Sequence, residues 1–461
     1  MIMTVFVIQP TRAQTHSMDY YGQTPPGDTP ELFAPGVVSI DGRYEYGLTV
    51  SPDGNDIYFT AEEPGNGLMV INRNNGTWGE PHIANLRKNN SWEFEAFFTV
   101  DGSRLYFTSN NDKGQSKFYF VDRTESGWDA AQYLNSPVNN TSVMWCTLSS
   151  DHVMYYGNNA NFQIHQAKSV DGRFDSIQNL GFRGSHPSIA SDGSFFLFNS
   201  RNYGGYGQSD ILIVYKNADG SWSDPINLGD RINTRFSETC ASLSQDGKYI
   251  FFSRYNESGG KSNIYWVDAK AILPDPNGPI ANQSTGLRFS SIQCAINYAN
   301  PDDTIVIEPG VYEENITLDQ DIAVQSVDPN NPYYIGGTII QGDPNEPVVT
   351  LSNNTANCTL AGLTIRTGAI GIMGTAMDAT LHNCRIIDNT IHGIELFEGS
   401  SPYFDHCLIT ANGQIGITMH EKTSSRSTIY CQPTIKDCVI VQNGETAIEG
   451  GDPQIVDSII E

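Results

Sequence analysis

The residues whose types and spacing can do chemistry fall in rows. Asn383, His406, Asp437 and Asp457 each stand one position before Cys384, Cys407, Cys438 and Ser458. If the Cys column points into a core, strand alternation sends the preceding row outward. On adjacent rungs of a stacked sheet, Asp437 and Asp457 would lie about 5 Å apart. Carboxylates that close resist joint ionisation unless a cation or solvent separates them. Ca2+ with oxygen ligands is the candidate ion, and no other cofactor is required. Arg385, His392, Glu395 and His420 fall on neighbouring repeats. His406, Arg385 and His392 are therefore the candidate catalytic groups, a base and a positive charge. A solvated outer face is the competing reading of the row.

Three further sets carry possible sites. Glu45, Glu93 and Glu238 precede apolar strands at matching places. They either line a channel, where they would hold a cation or a basic peptide, or cap turns and bond neighbouring units. Trp92 and Trp145 do not recur as Trp78, Trp128 and Trp222 do. They are candidates for a stacking platform, with core packing as the alternative. The insertion at 420–432 carries Lys422, Arg426 and Tyr430 and is the irregular feature large enough to shape a ligand groove.

Two kinds of repeat must position these residues. In the second half Leu363, Cys384, Cys407, Cys438 and Ser458 form a column at intervals of 21, 23, 31 and 20 residues, with parallel columns at Ile365, Ile386, Ile409, Ile440 and Ile460 and at Leu360, Leu381, Phe404, Ile435 and Ile455. One such repeat cannot bury its apolar face until neighbours stack on it, so the pattern predicts a coiled parallel sheet. Its thiols are expected stacked and buried, although rungs about 4.8 Å apart also admit a disulfide. Cys431, in the insertion, is the odd one, expected exposed. Asn389, Asn412 and Asn443 follow the Cys column by five residues and suit turns whose side chains bond the next coil. Residues 290–299 place Ile292, Ala295, Ile296 and Ala299 at helical spacing, with Ser290 as N-cap, and such a helix would cover the open end of the solenoid.

In the first half the period lengthens. Turns at Asp53-Gly54, Asp101-Gly102, Asp151-His152, Asp192-Gly193 and Asp246-Gly247 are spaced 48, 50, 41 and 54 residues apart. Each precedes an apolar-aromatic strand such as Ile57-Tyr58-Phe59 or Ile250-Phe251-Phe252, and an Asp-Gly turn between two such runs signals a hairpin. Units of this length read as propeller blades. Five are visible, and the last lacks an outer strand that 30–35 could supply. The expectation is an all-β chain: a five-bladed β-propeller at 30–273 closed by its N-terminal strand, a linker at 274–285, and a right-handed parallel β-helix with an N-terminal capping helix at 286–461.

The blades resemble the WD40-like repeats of TolB-type proteins, on Ser237-Glu238, Leu243-Ser244-Gln245-Asp246-Gly247 and Phe251-Phe252-Ser253, and on Trp222-Ser223-Asp224-Pro225. The third blade departs from the pattern, with His152 for the turn Gly, and Gly184 stands where three blades have Glu. The stretch 292–312 and the column Asn/His/Asp-Cys-x-Ile resemble the right-handed β-helix group that includes pectin and alginate lyases. That resemblance implies a base that removes the proton beside a uronate carboxylate, with Ca2+ or Arg stabilising the resulting charge. Its usual Asp cluster with a nearby Arg or Lys at fixed spacing is not found here.

Lys and Arg total 26 against 52 Asp and Glu, a formal charge of −26. Such a surface repels phosphate backbones and argues against nucleic acid as partner. Nothing in the sequence resembles a transmembrane span, and residues 1–14 resemble the end of a secretory signal without its basic part. These readings point to an exported protein, periplasmic, cell-surface or extracellular. The expected function is a non-catalytic binding module for a surface polymer, a glycan, or for an envelope protein. The alternative is a calcium-assisted polysaccharide lyase or glycoside hydrolase at the β-helix groove. Because Glu461 falls inside a repeat, the sequence also suggests a truncated β-helix with a frayed last rung or an end-to-end contact between copies.

Overall fold

The computed structural model describes residues 20–62, 67–88, 91–110, 113–170, 173–255, 261–352, 357–423 and 428–461. The signal-like segment 1–14 and Arg426 lie outside the described residues. The chain divides into two compact units, 1–269 and 270–461.

The first unit is an antiparallel β domain of propeller type. Its inner strands are Tyr44–Val50, Glu93–Phe98, Val143–Leu148, Ser185–Ile189 and Glu238–Leu243, and each pairs with the strand after its Asp turn. A third strand follows in every group, as in Gly67–Asn74 and Ser262–Asp268. The short strand Glu31–Leu32 adds antiparallel to Ser262–Asp268, with Glu31 opposite Trp266 and Leu32 opposite Tyr265. Phe33, Phe251 and Trp266 pack together behind this pairing, all essentially buried. Burying aromatics of this size supplies the main apolar contribution to such small sheets.

The Asp turns work through side-chain oxygens. Asp53 accepts from Ser51 Oγ and the Asn55 N–H, and Asp246 from Ser244 Oγ and the Lys248 N–H. Thus Ser-x-Asp-Gly fixes these two hairpin tips, with Gly54 and Gly247 at φ of 70° and 72° where a Cβ is disfavoured. His152 occupies the same conformation at φ 59°.

The second unit is a parallel β-helix of three sheets. One contains Thr380–His382, Tyr403–Asp405, Thr434–Lys436 and Gln454–Val456; the second, Arg385–Ile387, Leu408–Thr410, Val439–Val441 and Ile459–Ile460; the third, His392–Phe397, Ile415–Met419 and Thr446–Glu449. Leu381, Phe404 and Ile435 stack in register, as do Ile386, Ile409 and Ile440. The helix Ile292–Asn297 buries Ile292, Ala295 and Ile296 in the same core. Its N-cap is Ser291, which accepts the Cys294 N–H, while Ser290 bonds Asp275 instead. Residues 280–282, read as linker from composition, form a strand antiparallel to Thr304–Ile307.

Candidate functional site

The candidate site follows from one irregularity repeated five times. Each inner strand of the propeller is broken by a bulge, between Tyr46 and Thr49, Phe94 and Ala96, Met144 and Cys146, Ser185 and Ser188, and Thr239 and Ser242. At each bulge one residue is left-handed: Gly47, Glu95, Trp145, His186 and Cys240, at φ between 44° and 64°. For a non-glycine residue this conformation costs about 1–3 kcal/mol and persists only where the surroundings enforce it. Bulges re-aim side chains and gather next to active sites.

Here they bring four side chains together. Glu95 accepts the Trp145 N–H at 2.9 Å on one oxygen and meets His186 Nε2 at 3.1 Å on the other. His186 Nδ1 lies 2.8 Å from Asn199 Oδ1, and its ring stands edge-on to Trp145. Ligand atoms of Glu95, His186 and Cys240 all lie within 4.8 Å of one another. Gly47 completes the ring because a Cβ there would come 2.9 Å from Trp145 Cζ3. Burial opposes protonation of His186, but the Cys240 sulfur and the Glu95 carboxylate outweigh it and hold the imidazole pKa well above its usual value.

Glu95, His186 and Cys240 line a pocket of about 990 Å³. Tyr44, Tyr46, Phe162 and Tyr255 supply aromatic surface, Arg183, Arg201, Asn202 and Gln208 supply donors, and Glu62 is a second carboxylate in the lining. Apolar faces with a few placed polar groups are the usual make-up of a small-ligand site.

The sites expected from sequence are distributed differently. Glu45, Glu93 and Glu238 do not share a channel. Glu45 accepts from the Ile40 N–H and Arg43, Glu93 from the Leu86 and Arg87 N–H groups, and Glu238 from Thr234 and Arg254. Each braces the loop entering its strand, and burial lifts all three carboxyls above the usual range. Trp145 is 2% exposed, a wall of the ring rather than an open platform. Trp92 is half-buried against Phe94.

On the β-helix, Asn383, His406, Asp437 and Asp457 have φ of 47° to 54° and form the corner between two strands, so strand alternation does not apply to them. Asp437 lies 3.6 Å from Lys436 Nζ. His406 Nδ1 bonds Asp405, which also bonds His382, and this trio is the second place where metal-ligand types converge among the described residues. For Asp405, burial works to raise the pKa, but hydrogen bonds with His406 and His382 outweigh it and lower it. Arg385 stands on the second sheet opposite Leu408, two residues past His406, and His392 stands on the third sheet. Lys422 pairs with Glu398 on an exposed hairpin, and Tyr430 beside it is about half exposed. Cys431 is fully buried, and all eight Cys are free thiols.

Sequence reasoning missed Glu95, His186 and Cys240. Their signal was positional: Glu95 and Cys240 stand two residues after Glu93 and Glu238, and His186 two after Gly184.

Residues 327–456 match the family described as "Right handed beta helix region". Levansucrase from Streptococcus salivarius is 26% identical over 159 residues, 32% of this chain, and the chain spans only 15% of that protein. Among solved structures, a putative TolB from Agrobacterium tumefaciens aligns at 16% identity and TM-score 0.35, covering 49% of this chain and 77% of its own. The catalytic domain of an α-L-arabinofuranosidase from Coprinopsis cinerea aligns at 10% identity and TM-score 0.37, covering 52% and 97%. At these values neither structure carries an activity to this chain. The sheet order on its own makes the N-terminal unit an antiparallel β domain of propeller type and the C-terminal unit a parallel β-helix. Among the described residues no helix is long and apolar enough to cross a membrane.

Proposed function

We propose that the protein binds a carbohydrate chain in the axial pocket of its propeller and hydrolyses it there. The observation that carries this reading is the convergence of Glu95 and His186 in a tyrosine- and arginine-lined pocket of about 990 Å³. Tyrosine faces suit sugar rings, and Arg and amide groups suit their hydroxyls and carboxylates. Glycoside cleavage uses two carboxyl groups, and Glu62 and Glu95 are the carboxylates lining the pocket. In this reading the hydrolytic site lies in the propeller rather than in the β-helix groove.

A binding module without turnover is the second reading. It is favoured by Glu95 already receiving the Trp145 N–H and His186, which leaves its oxygens engaged. A reducing-end assay over neutral and acidic oligosaccharides, run beside calorimetric titration, separates the two. Hydrolysis that Glu95→Gln lowers by about 100-fold or more, within the range for losing an acid-base group, supports the enzyme. Saturable binding with no product leaves the module, and neither signal over a broad panel removes the pocket as a carbohydrate site.

The rest of the architecture fits this reading. The five antiparallel groups are five blades spanning 30–273 and closed by Glu31–Leu32, and Ile292–Asn297 caps the β-helix that begins near 286. The protein is exported, where polysaccharides are met, and an envelope protein is the alternative partner. Ca2+ has oxygen donors at the corner Asp437 and Asp457 of the β-helix, whereas both oxygens of Glu93 and Glu238 and one of Glu45 are taken up locally. Flat calorimetric heats with Ca2+ would remove that ion from the account.

A further inference from the structure

We infer that Glu95, His186 and Cys240 bind one divalent cation of the zinc class, with a coordination position left open to the axial pocket. The inference goes beyond the carbohydrate reading and stands without it: an ion held by Glu95 takes the oxygen that acid–base work would use, and so accords with binding rather than with hydrolysis through Glu95.

The hydrogen bonds around His186 lead to it. Asn199 Nδ2 donates to Ser185 Oγ and Ser209 Oγ, both at 3.1 Å. That fixes the amide so that its oxygen faces His186 Nδ1 at 2.8 Å. An acceptor there places the proton on Nδ1, because the partner of one ring nitrogen sets the role of the other. Nε2 then aims its lone pair at Glu95 Oε1, 3.1 Å away. Two acceptors at that distance need positive charge between them, supplied either by a second proton on the imidazole or by a metal ion. Cys240 brings a sulfur to the same point, with all three ligand atoms within 4.8 Å of one another.

The donor set selects the ion. Ca2+ takes six to eight oxygens, and one carboxylate with an imidazole and a thiol does not meet that need. Sulfur, nitrogen and one oxygen suit Zn2+, whose bonds of about 2.0–2.3 Å require ligand atoms nearly this close. Three protein ligands leave room for a fourth from the pocket, the arrangement of catalytic rather than structural zinc. The site is also built: Glu95 and Cys240 are 5% and 3% exposed, and each of the three ligands sits on its own left-handed bulge. The Asn199 bond has the form of the outer contact that orients a metal-bound histidine.

The test uses full-length, chelator-treated protein and no carbohydrate, so its outcome is separate from that of the glycan assays. Zn2+ is titrated calorimetrically, and Co2+ is titrated while the near-ultraviolet sulfur-to-cobalt band is recorded. The expected result is one equivalent bound and a cobalt band that disappears in Cys240→Ser. His186→Ala and Glu95→Gln should each weaken binding at least about 10-fold, as loss of a ligand implies. His382→Ala, His406→Ala and Cys438→Ser should bind as the parent does, which excludes the surface trio and the stacked thiols. Circular dichroism and melting confirm that each variant is folded, and Cys240→Ala replaces Cys240→Ser if the latter is not. No saturable heat would mean that imidazolium alone satisfies Glu95, and the inference falls. A cobalt band that survives at Cys240→Ser, or one lost only at Cys438→Ser, overturns it equally.

Discussion

At the scale of single residues, the five bulge positions behave as one object. Gly47 is the position where no side chain fits, since its Cβ would overlap Trp145 and its φ is 64°. Gly47→Ala is expected to displace Trp145 and destabilise the propeller by about 1–3 kcal/mol, read by denaturant melts of the full chain. A variant with unchanged stability and an unchanged near-ultraviolet signal from tryptophan would contradict the packing described. Glu45 tests another residue-level claim. It is fully buried against Arg43, whose side chain is 9% exposed, at 2.6 Å. Glu45→Ala leaves that charge unpaired and should cost about 3–5 kcal/mol. Glu45→Leu combined with Arg43→Met should recover most of the loss. A loss no smaller in the double variant than in Glu45→Ala would show that the pair does not act as a unit.

At the scale of elements, the Asp turns and the Asn ladder give opposite lessons about legibility. The Asp-Gly turns were readable because the chemistry is local: Asp101 accepts from Thr99 Oγ1 and Ser103 N–H within a few residues. Those bonds lower its pKa, the Thr99 bond most. In Asp53 and Asp246 burial would raise the pKa, but their turn bonds outweigh it and also lower it. A depressed carboxyl contributes stability above its unfolded pKa that is lost as pH falls through its folded pKa. The propeller should therefore weaken below the ordinary carboxylate range, and Asp101→Asn should flatten that acid limb in melts taken from pH 6 to about 2. A parallel displacement of the whole profile with an unchanged slope would count against the turn as its source.

The Asn ladder was legible as a column, while its conformation was not. Asn389 Nδ2 donates to Asn412 Oδ1 and Asn412 Nδ2 to Asn443 Oδ1, each at 2.9 Å. The left-handed residue is the one before each Asn, at Asp388, Ala411 and Gln442. Asn412→Ala strands the buried amide of Asn389 and should cost about 1–3 kcal/mol, with slower hydrogen exchange lost in the flanking β-helix rungs and kept in the propeller. Exchange that speeds up in the propeller alone would refute that placement. The corner row of His406 and Asp437 does lie outside the core, but strand alternation is not what puts it there. Alternation assumes an unbroken strand, and a single left-handed residue resets it.

At the scale of the whole molecule, two repeat periods were enough to expose the two kinds of sheet, because stacking repeats the same apolar residue at the same place. Leu381, Phe404 and Ile435 announce one another in the sequence and meet in the fold. Function leaves no such echo. Glu95, His186 and Cys240 come from three separate strands, 91 and 54 residues apart along the chain. Their residue types differ, so no column reveals them, and only ring geometry brings them together. The formal charge of −26 marks no site by itself, and the pocket holds its carboxylates among tyrosines and arginines.

The proposed carbohydrate ligand is expected in the axial pocket and not on the outer face of the β-helix. A crystal structure of the protein soaked with the tightest oligosaccharide of the panel tests it most directly. The predicted result is sugar density against Tyr46 and Tyr255, within hydrogen-bond reach of Arg183 and Glu62. Density on the corner row of His406 and Asp437, with the pocket filled only by solvent, would contradict it.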